Sequence, residues 1–153
     1  MTITSTAFQD GESIPSEYTC DGDNYHPPLT FSEIPIDAES LVLIVDDPDA
    51  PGGTFTHWLV YDMTPATMQI LANTKPETGH QGTNDFGDQQ YGGPAPPQGS
   101  HRYFFRLYAL NNRPHLAPGV HRRQVDEVLQ NHVIAEAELM GTYARQNQRI
   151  AAM

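Results

Sequence analysis

The chain has 153 residues, which suits one domain that buries roughly two thirds of the surface of its unfolded chain. Asp and Glu outnumber Lys and Arg by 19 to 8, so the sequence offers no basic stripe for a nucleic-acid backbone and little attraction to anionic membrane surfaces. No apolar stretch approaches the roughly 20 residues that span a bilayer, so we expect a single globular domain over residues 1–153 with no integral membrane association.

Turn-forming residues divide the chain into short runs rich in β-branched and aromatic residues, which is typical of an antiparallel β protein. The clearest predicted strands are Ser40–Asp47, Thr56–Met63 and His101–Leu110, and weaker ones lie near Thr2–Phe8, Leu29–Glu33 and Gln69–Asn73. After Pro118-Gly119, apolar residues recur at helical spacing. We therefore expect a mostly β fold, a two-sheet antiparallel β-sandwich, with peripheral C-terminal helices at about Arg122–Asn131 and His132–Gln146.

A histidine lies near the start of each of two predicted strands. Residues two apart in a strand share a face, which groups His101 with Tyr103, Phe105 and Leu107, and His57 with Phe55, Leu59 and Tyr61. A lone histidine on such an apolar face is more often a hydrogen-bonded core residue, but two in the same arrangement favour a site. Arg102 and Arg106 on the opposite face are expected to form salt bridges within the sheet, and His80, His115 and His121 lie in loop-like segments.

Stiff turns lead towards both histidines. Asp47-Pro48-Asp49-Ala50-Pro51 follows the apolar run of the strand Ser40–Asp47, and a loop with three Gly and three Pro, Tyr91–Gly99, precedes His101. Asp-Pro turns also serve merely to end strands. Two rigid turns beside two strand histidines nevertheless indicate a preorganised pocket, and we expect the Ala50–Pro51 bond to be cis.

Four stretches resemble the phosphatidylethanolamine-binding protein family, in its bacterial and archaeal Raf-kinase-inhibitor-like branch. They are DPDAPGGTFTHWLVYDM and NDFGDQQYGGPAPPQGSHRYFFRLYAL, with YTCDGDNYHPPLTF before them and AEAELMGTYAR after them. The resemblance implies a β-sandwich with a small anion-binding pocket near the ends of the central strands. Its pocket residues would be Asp47, Asp49, His57, Ala95, Pro96, Pro97, His101 and Tyr103. It also implies inhibition of a protein kinase or serine protease, and a homodimer.

The predicted chemistry is the non-enzymatic binding of a small anion, a phosphate, a phosphoryl group or a carboxylate, without a cofactor. Imidazole nitrogens, a tyrosine hydroxyl and backbone N–H groups can all donate to anionic oxygens, while the aspartates should keep affinity modest. Two alternatives remain open. Asp47, Asp49, His57 and His101 could bind a transition metal, although no H-x-x-x-H or H-E-x-x-H spacing is present. A small Asp/His hydrolase would lack a nucleophile-elbow serine.

The compartment is predicted from the cysteine count and the N-terminus. The single cysteine, Cys20, excludes an intramolecular disulfide and fits a reducing environment. The N-terminus has neither the basic start nor the apolar core of a secretory signal, and it retains Met1. We therefore expect a cytoplasmic protein.

Overall fold

A computed structural model describes residues 1–145 and confirms a mostly β fold with two antiparallel sheets. Strands β1 (Thr2–Thr4), β2 (Leu29–Ser32) and β5 (Gln69–Ile70) form a three-stranded sheet in the order β1-β2-β5. The second sheet has five strands in the order β6-β4-β3-β7-β8, with bounds β3 Ser40–Asp47, β4 Phe55–Met63, β6 His80–Gln81, β7 His101–Leu110 and β8 Val133–Tyr143. Helix α1 spans Arg122–Leu129, and a 3₁₀ turn spans Ser16–Tyr18.

The main core lies between the two sheets. It joins Ile3 and Phe31 of the small sheet to Leu43, Val60 and Leu107 of the large one. A second apolar cluster covers the other face of the large sheet, where Val125 of α1 packs with Val42, Ile44, Leu59 and Tyr61. Strand β3 is therefore buried on both faces along its whole length, and this fixes the position of the carboxylates at its end.

The predicted helix at His132–Gln146 is wrong, because residues 133–143 form strand β8; its last residue, Gln146, lies outside the described residues. Strand β8 pairs with β7 from Leu110↔Val133 to His101↔Tyr143. Ala, Glu, Leu and Met favour helices intrinsically. The side chains of this segment also alternate between an inner and an outer face, and pairing with β7 stabilises the strand that this alternation allows. Helix α1 ends at Leu129, Gln130 after it is extended, and Asn131 adopts the left-handed conformation, at φ 64°, in the turn that leads to β8.

The Ala50–Pro51 bond is trans, contrary to prediction, since no cis peptide bond occurs in residues 1–145. Hydrogen bonds shape this turn instead. The Asp49 N–H donates to the Asp47 side chain over 2.7 Å, and the Gly53 N–H donates to the Ala50 carbonyl over 3.1 Å. Gly53 has a φ of 107°, which a residue with a side chain rarely adopts, and so supplies the change of direction.

The other predicted elements agree with the structure in their positions. Strands β3 and β7 have the predicted bounds, and the helix predicted at Arg122–Asn131 is α1. The weaker predicted strands are shorter than expected, and His80 lies in the short edge strand β6 and not in a loop. Among residues 1–145, no helix is long and apolar enough to cross a membrane.

Candidate functional site

A cavity opens where β3 ends and where β4 and β7 begin. Asp47 pairs with Phe55 and Asp46 pairs with Phe104, which brings the three strand termini side by side. The cavity has a volume of about 210 Å³, below the roughly 300–1,000 Å³ typical of sites for drug-sized ligands. It therefore suits a small ligand. Its lining consists of Asp47, Ala50, Pro51, Phe55, His57, Phe86, Ala95, Pro96, Pro97, His101 and Tyr103.

Seven of the eight residues predicted for the pocket line this cavity, and Asp49 is the exception. The exposed Asp49 carboxylate instead accepts hydrogen bonds from Nε, Nη2 and the backbone N–H of Arg102, each over 2.9 Å. The hydrogen bonds from Arg102 hold the pKa of Asp49 at about 2. Arg106 forms ion pairs with Asp46 and Glu138, so both arginines form the predicted salt bridges. Asp49 thus ties the turn after β3 to the start of β7.

His101 is oriented by the buried carboxylate of Asp47. Its Nδ1 lies 2.6 Å from Oδ2 of Asp47, and because an ionised carboxylate only accepts, the ring donates this hydrogen bond. The two side chains are only 9% and 5% exposed. This contact fixes the ring and leaves Nε2 as the nitrogen available to a ligand.

A register shift in β4 brings His57 to the cavity. Val45 pairs with Trp58, whereas Asp46 pairs with Thr56, so His57 is an additional residue in a β-bulge. Strict alternation predicted His57 to share a face with Leu59, and this prediction is wrong. Leu59 packs in the cluster beneath α1, whereas the His57 ring lies at 5.3 Å from that of Tyr103, on the cavity side.

Burial and a backbone hydrogen bond determine the protonation of His57. Its Nδ1 lies 2.7 Å from the carbonyl oxygen of Gly92, which can only accept, so Nδ1 carries a proton. Burial lowers the pKa of His57, and the bond to Gly92 and the negative charge of Asp47 offset this only in part. The neutral ring therefore offers Nε2 to the cavity as an acceptor, and the protonated ring would offer it as a donor.

The Tyr103 hydroxyl is buried and lacks a well-placed hydrogen-bond acceptor. The residue is 1% exposed, and within the described part of the chain its hydroxyl makes no hydrogen bond. Burial raises the pKa of Tyr103, and the nearby Asp47 carboxylate adds to this through its charge and as an acceptor, although the geometry is too poor for a regular hydrogen bond. The hydroxyl therefore keeps its proton and remains a donor. A buried unsatisfied polar group costs about 1–3 kcal/mol, which a ligand in the cavity would relieve.

Close packing explains why two positions of the loop before β7 are glycines. A Cβ on Gly92 would lie 2.5 Å from Cδ2 of Phe86, and a Cβ on Gly93 would overlap the Tyr18 carbonyl. The next residue accepts a hydrogen bond, from the Cys20 N–H to the Pro94 carbonyl, over 3.0 Å. The loop is therefore fixed to the segment around the 3₁₀ turn, and Ala95, Pro96 and Pro97 form a rigid wall of the cavity.

Four residues that line the cavity were not predicted: Ala50, Pro51, Phe55 and Phe86. Phe55 lies at the cavity because it pairs with Asp47. That pairing depends on the register of β3 on β4, which hydrophobic alternation alone does not predict. Phe86 lies in a loop without periodicity. Asn84, two residues before it, is of a residue type that often bonds loop backbone through its side chain, but its burial is visible only in the structure.

No ready-made metal site accompanies these groups. Within residues 1–145, no cluster of three or more His, Cys, Asp or Glu side chains is placed to hold a metal ion. Part of this donor set is already used in hydrogen bonds within the protein. Nδ1 of His101 bonds to a carboxylate oxygen of Asp47, and Nδ1 of His57 bonds to a backbone carbonyl. The groups that remain for a ligand are Nε2 of each histidine and the hydroxyl of Tyr103.

Comparisons with known proteins identify the family. The model of the phosphatidylethanolamine-binding protein family matches residues 4–144. A UPF0098 protein of Methanothermobacter thermautotrophicus is 45% identical over 95% of this chain and 99% of its own length, and one of Aquifex aeolicus is 44% identical over 95% and 89%.

Two solved structures have the same fold. A structure described as a phosphatidylethanolamine-binding protein homologue of Chlamydia trachomatis superposes with a TM-score of 0.90 at 41% identity, covering 95% of this chain and 97% of its own. YbcL of Escherichia coli, described as a member of the mammalian family, gives 0.88 at 28% identity, covering 95% and 98%. The chain therefore belongs to the phosphatidylethanolamine-binding protein family.

Proposed function

We propose that the cavity binds a small anion, a phosphate, a phosphoryl group or a carboxylate, and that the protein acts by binding and not by catalysis. The observation that carries this proposal is the buried hydroxyl of Tyr103, which has no well-placed hydrogen-bond acceptor within the described residues. The ring that carries it has its centroid 5.3 Å from that of His57 and 6.4 Å from that of His101, and all three side chains line the cavity. An anion can accept a hydrogen bond from this hydroxyl and, when both rings are protonated, from Nε2 of His57 and of His101 as well.

Anion binding should be coupled to uptake of a proton by His57. Burial lowers the pKa of His57 in the free protein, whereas an anion beside Nε2 stabilises the imidazolium and raises that pKa. Between the free and bound pKa values the complex carries one more proton than the free protein, so affinity falls as pH rises. Metal binding would have the opposite sign, because metal ligands must be neutral imidazoles.

Sulfate titrations between about pH 5 and pH 8 test this proposal, because sulfate stays a dianion and only the protein titrates. We expect affinity to fall with rising pH by calorimetry. His101→Ala should weaken binding at the acidic end by roughly 1.5–3 kcal/mol, as for a charge-assisted hydrogen bond. The control is His80→Ala, an exposed histidine outside the cavity. Affinity that is flat with pH and equal in His57→Ala, His101→Ala and wild type would contradict the proposal.

A partner protein is the second part of this proposal. The mouth of the cavity is formed by exposed, rigid groups, with Pro51 and Pro97 exposed and Phe86 exposed by 46%. Such a rim could contact a kinase or protease whose phosphorylated or carboxylate side chain enters the cavity. A pull-down with an immobilised partner, competed by sulfate, would test this, and binding that sulfate does not displace would count against it.

We also propose that the protein is cytoplasmic and that it forms a homodimer. The single cysteine, Cys20, is a free thiol, which fits a reducing compartment. Strand β8 is an edge strand, and segment 11–14 covers only its C-terminal part, through bonds such as Gly11 N–H to the Met140 carbonyl. The remainder of this edge can pair with the same edge of a second copy across a two-fold axis.

A further inference from the structure

Phe86 stands at the mouth of the cavity and is held there although it is half exposed. Its exposure is 46%, and its ring contacts two others, at 4.7 Å from Phe55 and 5.4 Å from His57. Contiguous apolar surface that stays open to water in a folded protein commonly marks a binding surface. The position of this ring therefore requires an explanation beyond core packing.

The loop around Phe86 is built to fix the ring. The Phe86 N–H donates to Oδ1 of Asn84 over 2.9 Å, and Nδ2 of the buried Asn84 donates to the carbonyls of His57 and Gln90. The ring lies where a side chain at position 92 would stand, because a Cβ on Gly92 would come within 2.6 Å of Cδ2 and Cε2 of Phe86. These contacts hold the aromatic ring in position in the free protein, so a ligand that packs on it pays little ordering cost.

The cavity changes in character from floor to mouth. Its floor is polar and buried, with Tyr103, His57 and His101 exposed by only 1%, 3% and 7%. Its exposed lining residues Phe86, Pro51 and Pro97 are all apolar, so the mouth is apolar. An inorganic anion would use the floor and leave this apolar mouth in water.

From this gradient we infer that the cavity selects organic monoesters of phosphate whose substituent is apolar, and that Phe86 determines this selectivity. This inference rests on the proposed function, since the phosphoryl group must occupy the floor. The substituent then passes outward between Phe86 and the two prolines. Its apolar surface is removed from water together with the exposed part of the Phe86 ring, and a flat ring on the ester adds the preference of aromatic pairs for stacked or edge contacts.

The test compares phenyl phosphate with methyl phosphate, which present the same phosphoryl group on different substituents. We expect the wild-type protein to bind phenyl phosphate about tenfold more tightly, since an aromatic contact beyond its area burial corresponds to a factor of this order. In Phe86→Ala the ratio of the two affinities should fall close to one, and in Phe86→Leu it should take an intermediate value. Leu71→Ala, which truncates another exposed apolar side chain (54% exposed), should keep the wild-type ratio.

The ratio of the affinities for phenyl phosphate and methyl phosphate distinguishes failure of this inference from failure of the proposed function. If sulfate binds but wild type does not prefer phenyl phosphate over methyl phosphate, the selectivity is refuted while the anion site stands. If Phe86→Ala keeps the wild-type ratio, the assignment to Phe86 is refuted. If neither sulfate nor either ester binds the wild-type protein, the proposed function itself fails. A urea midpoint for each variant shows whether it is folded.

Discussion

Replacement of Asn84 by alanine should both destabilise the protein and damage the cavity. The Asn84 side chain donates to the carbonyls of His57 and Gln90 over 3.2 and 2.7 Å, and accepts from the N–H groups of Phe86 and Asp88 over 2.9 and 3.0 Å. At about 1 kcal/mol for each net hydrogen bond, the four bonds together contribute about 4 kcal/mol.

The expected loss is smaller, because some of the freed groups have other partners. The His57 carbonyl keeps its hydrogen bond from the Gly92 N–H at 3.0 Å, and the N–H groups of the exposed residues Phe86 and Asp88 can bind water. We therefore predict that Asn84→Ala lowers the free energy of unfolding by about 2–3 kcal/mol. For a domain of this size, that corresponds to a fall in Tm of about 5–10 °C.

Urea denaturation measures this loss as a shift of the midpoint at constant m-value. The matched control is Asp88→Ala, which truncates an exposed side chain in the same loop and should change stability by less than about 0.5 kcal/mol. Because Asn84 also positions the backbone of His57, the variant should bind sulfate more weakly than the control. A loss of stability no larger than that of Asp88→Ala would refute the view that Asn84 organises the loop.

Three further predictions concern packing, charge and assembly. Gly141→Ala should destabilise by about 1–3 kcal/mol in urea, because a Cβ there would lie 2.5 Å from Ile14 Cγ1; an unchanged midpoint would contradict this. The pKa of Asp49 is about 2 against an ordinary 3.8, so the stability lost in Asp49→Asn should be present above about pH 4 and vanish as pH falls through 2; a loss that persists at pH 2 would count against the Arg102 pair. Light scattering should give about twice the chain mass of 17.0 kDa, and the monomer mass would rule out the dimer.

The central strands β3 and β7 could be predicted because their hydrophobic patterns are themselves typical of strands. In β7, the pattern of His101, Tyr103, Phe105 and Leu107 alternates without interruption, and the structure buries these four residues on one face. In β3, an apolar run between turn residues predicts a strand, which the structure confirms, and the structure buries that strand on both faces. Local pattern and tertiary environment agree in these strands, so the sequence suffices.

Strand β8 could not be predicted because its local and tertiary preferences conflict. The run AEAELM has high helix propensity, and apolar residues at Val133, Leu139 and Met140 approximate helical spacing. The strand forms because β7 offers a partner along its whole length. The alternation in this segment is compatible with a strand, but no local feature of the sequence identifies β7 as its partner.

The arrangement of side chains in the cavity depends on the β-bulge at His57 and on the loop that carries Phe86. The bulge at His57 turns this side chain out of the alternation followed by Leu59 and Tyr61, and alternation alone therefore assigns it to the wrong face. Phe86 reaches the mouth through the side-chain bonds of Asn84, which no periodicity encodes. The residue types of the site could thus be named from motifs, whereas their arrangement required the fold.

The most direct test is a high-resolution crystal structure of the protein grown with and without phosphate. We predict density for one phosphate ion in the cavity, within hydrogen-bond distance of Nε2 of His57, Nε2 of His101 and the hydroxyl of Tyr103. The phosphate-free crystal should lack that density. An empty cavity at saturating phosphate, or phosphate bound only elsewhere on the surface, would contradict the assignment of this cavity as an anion site.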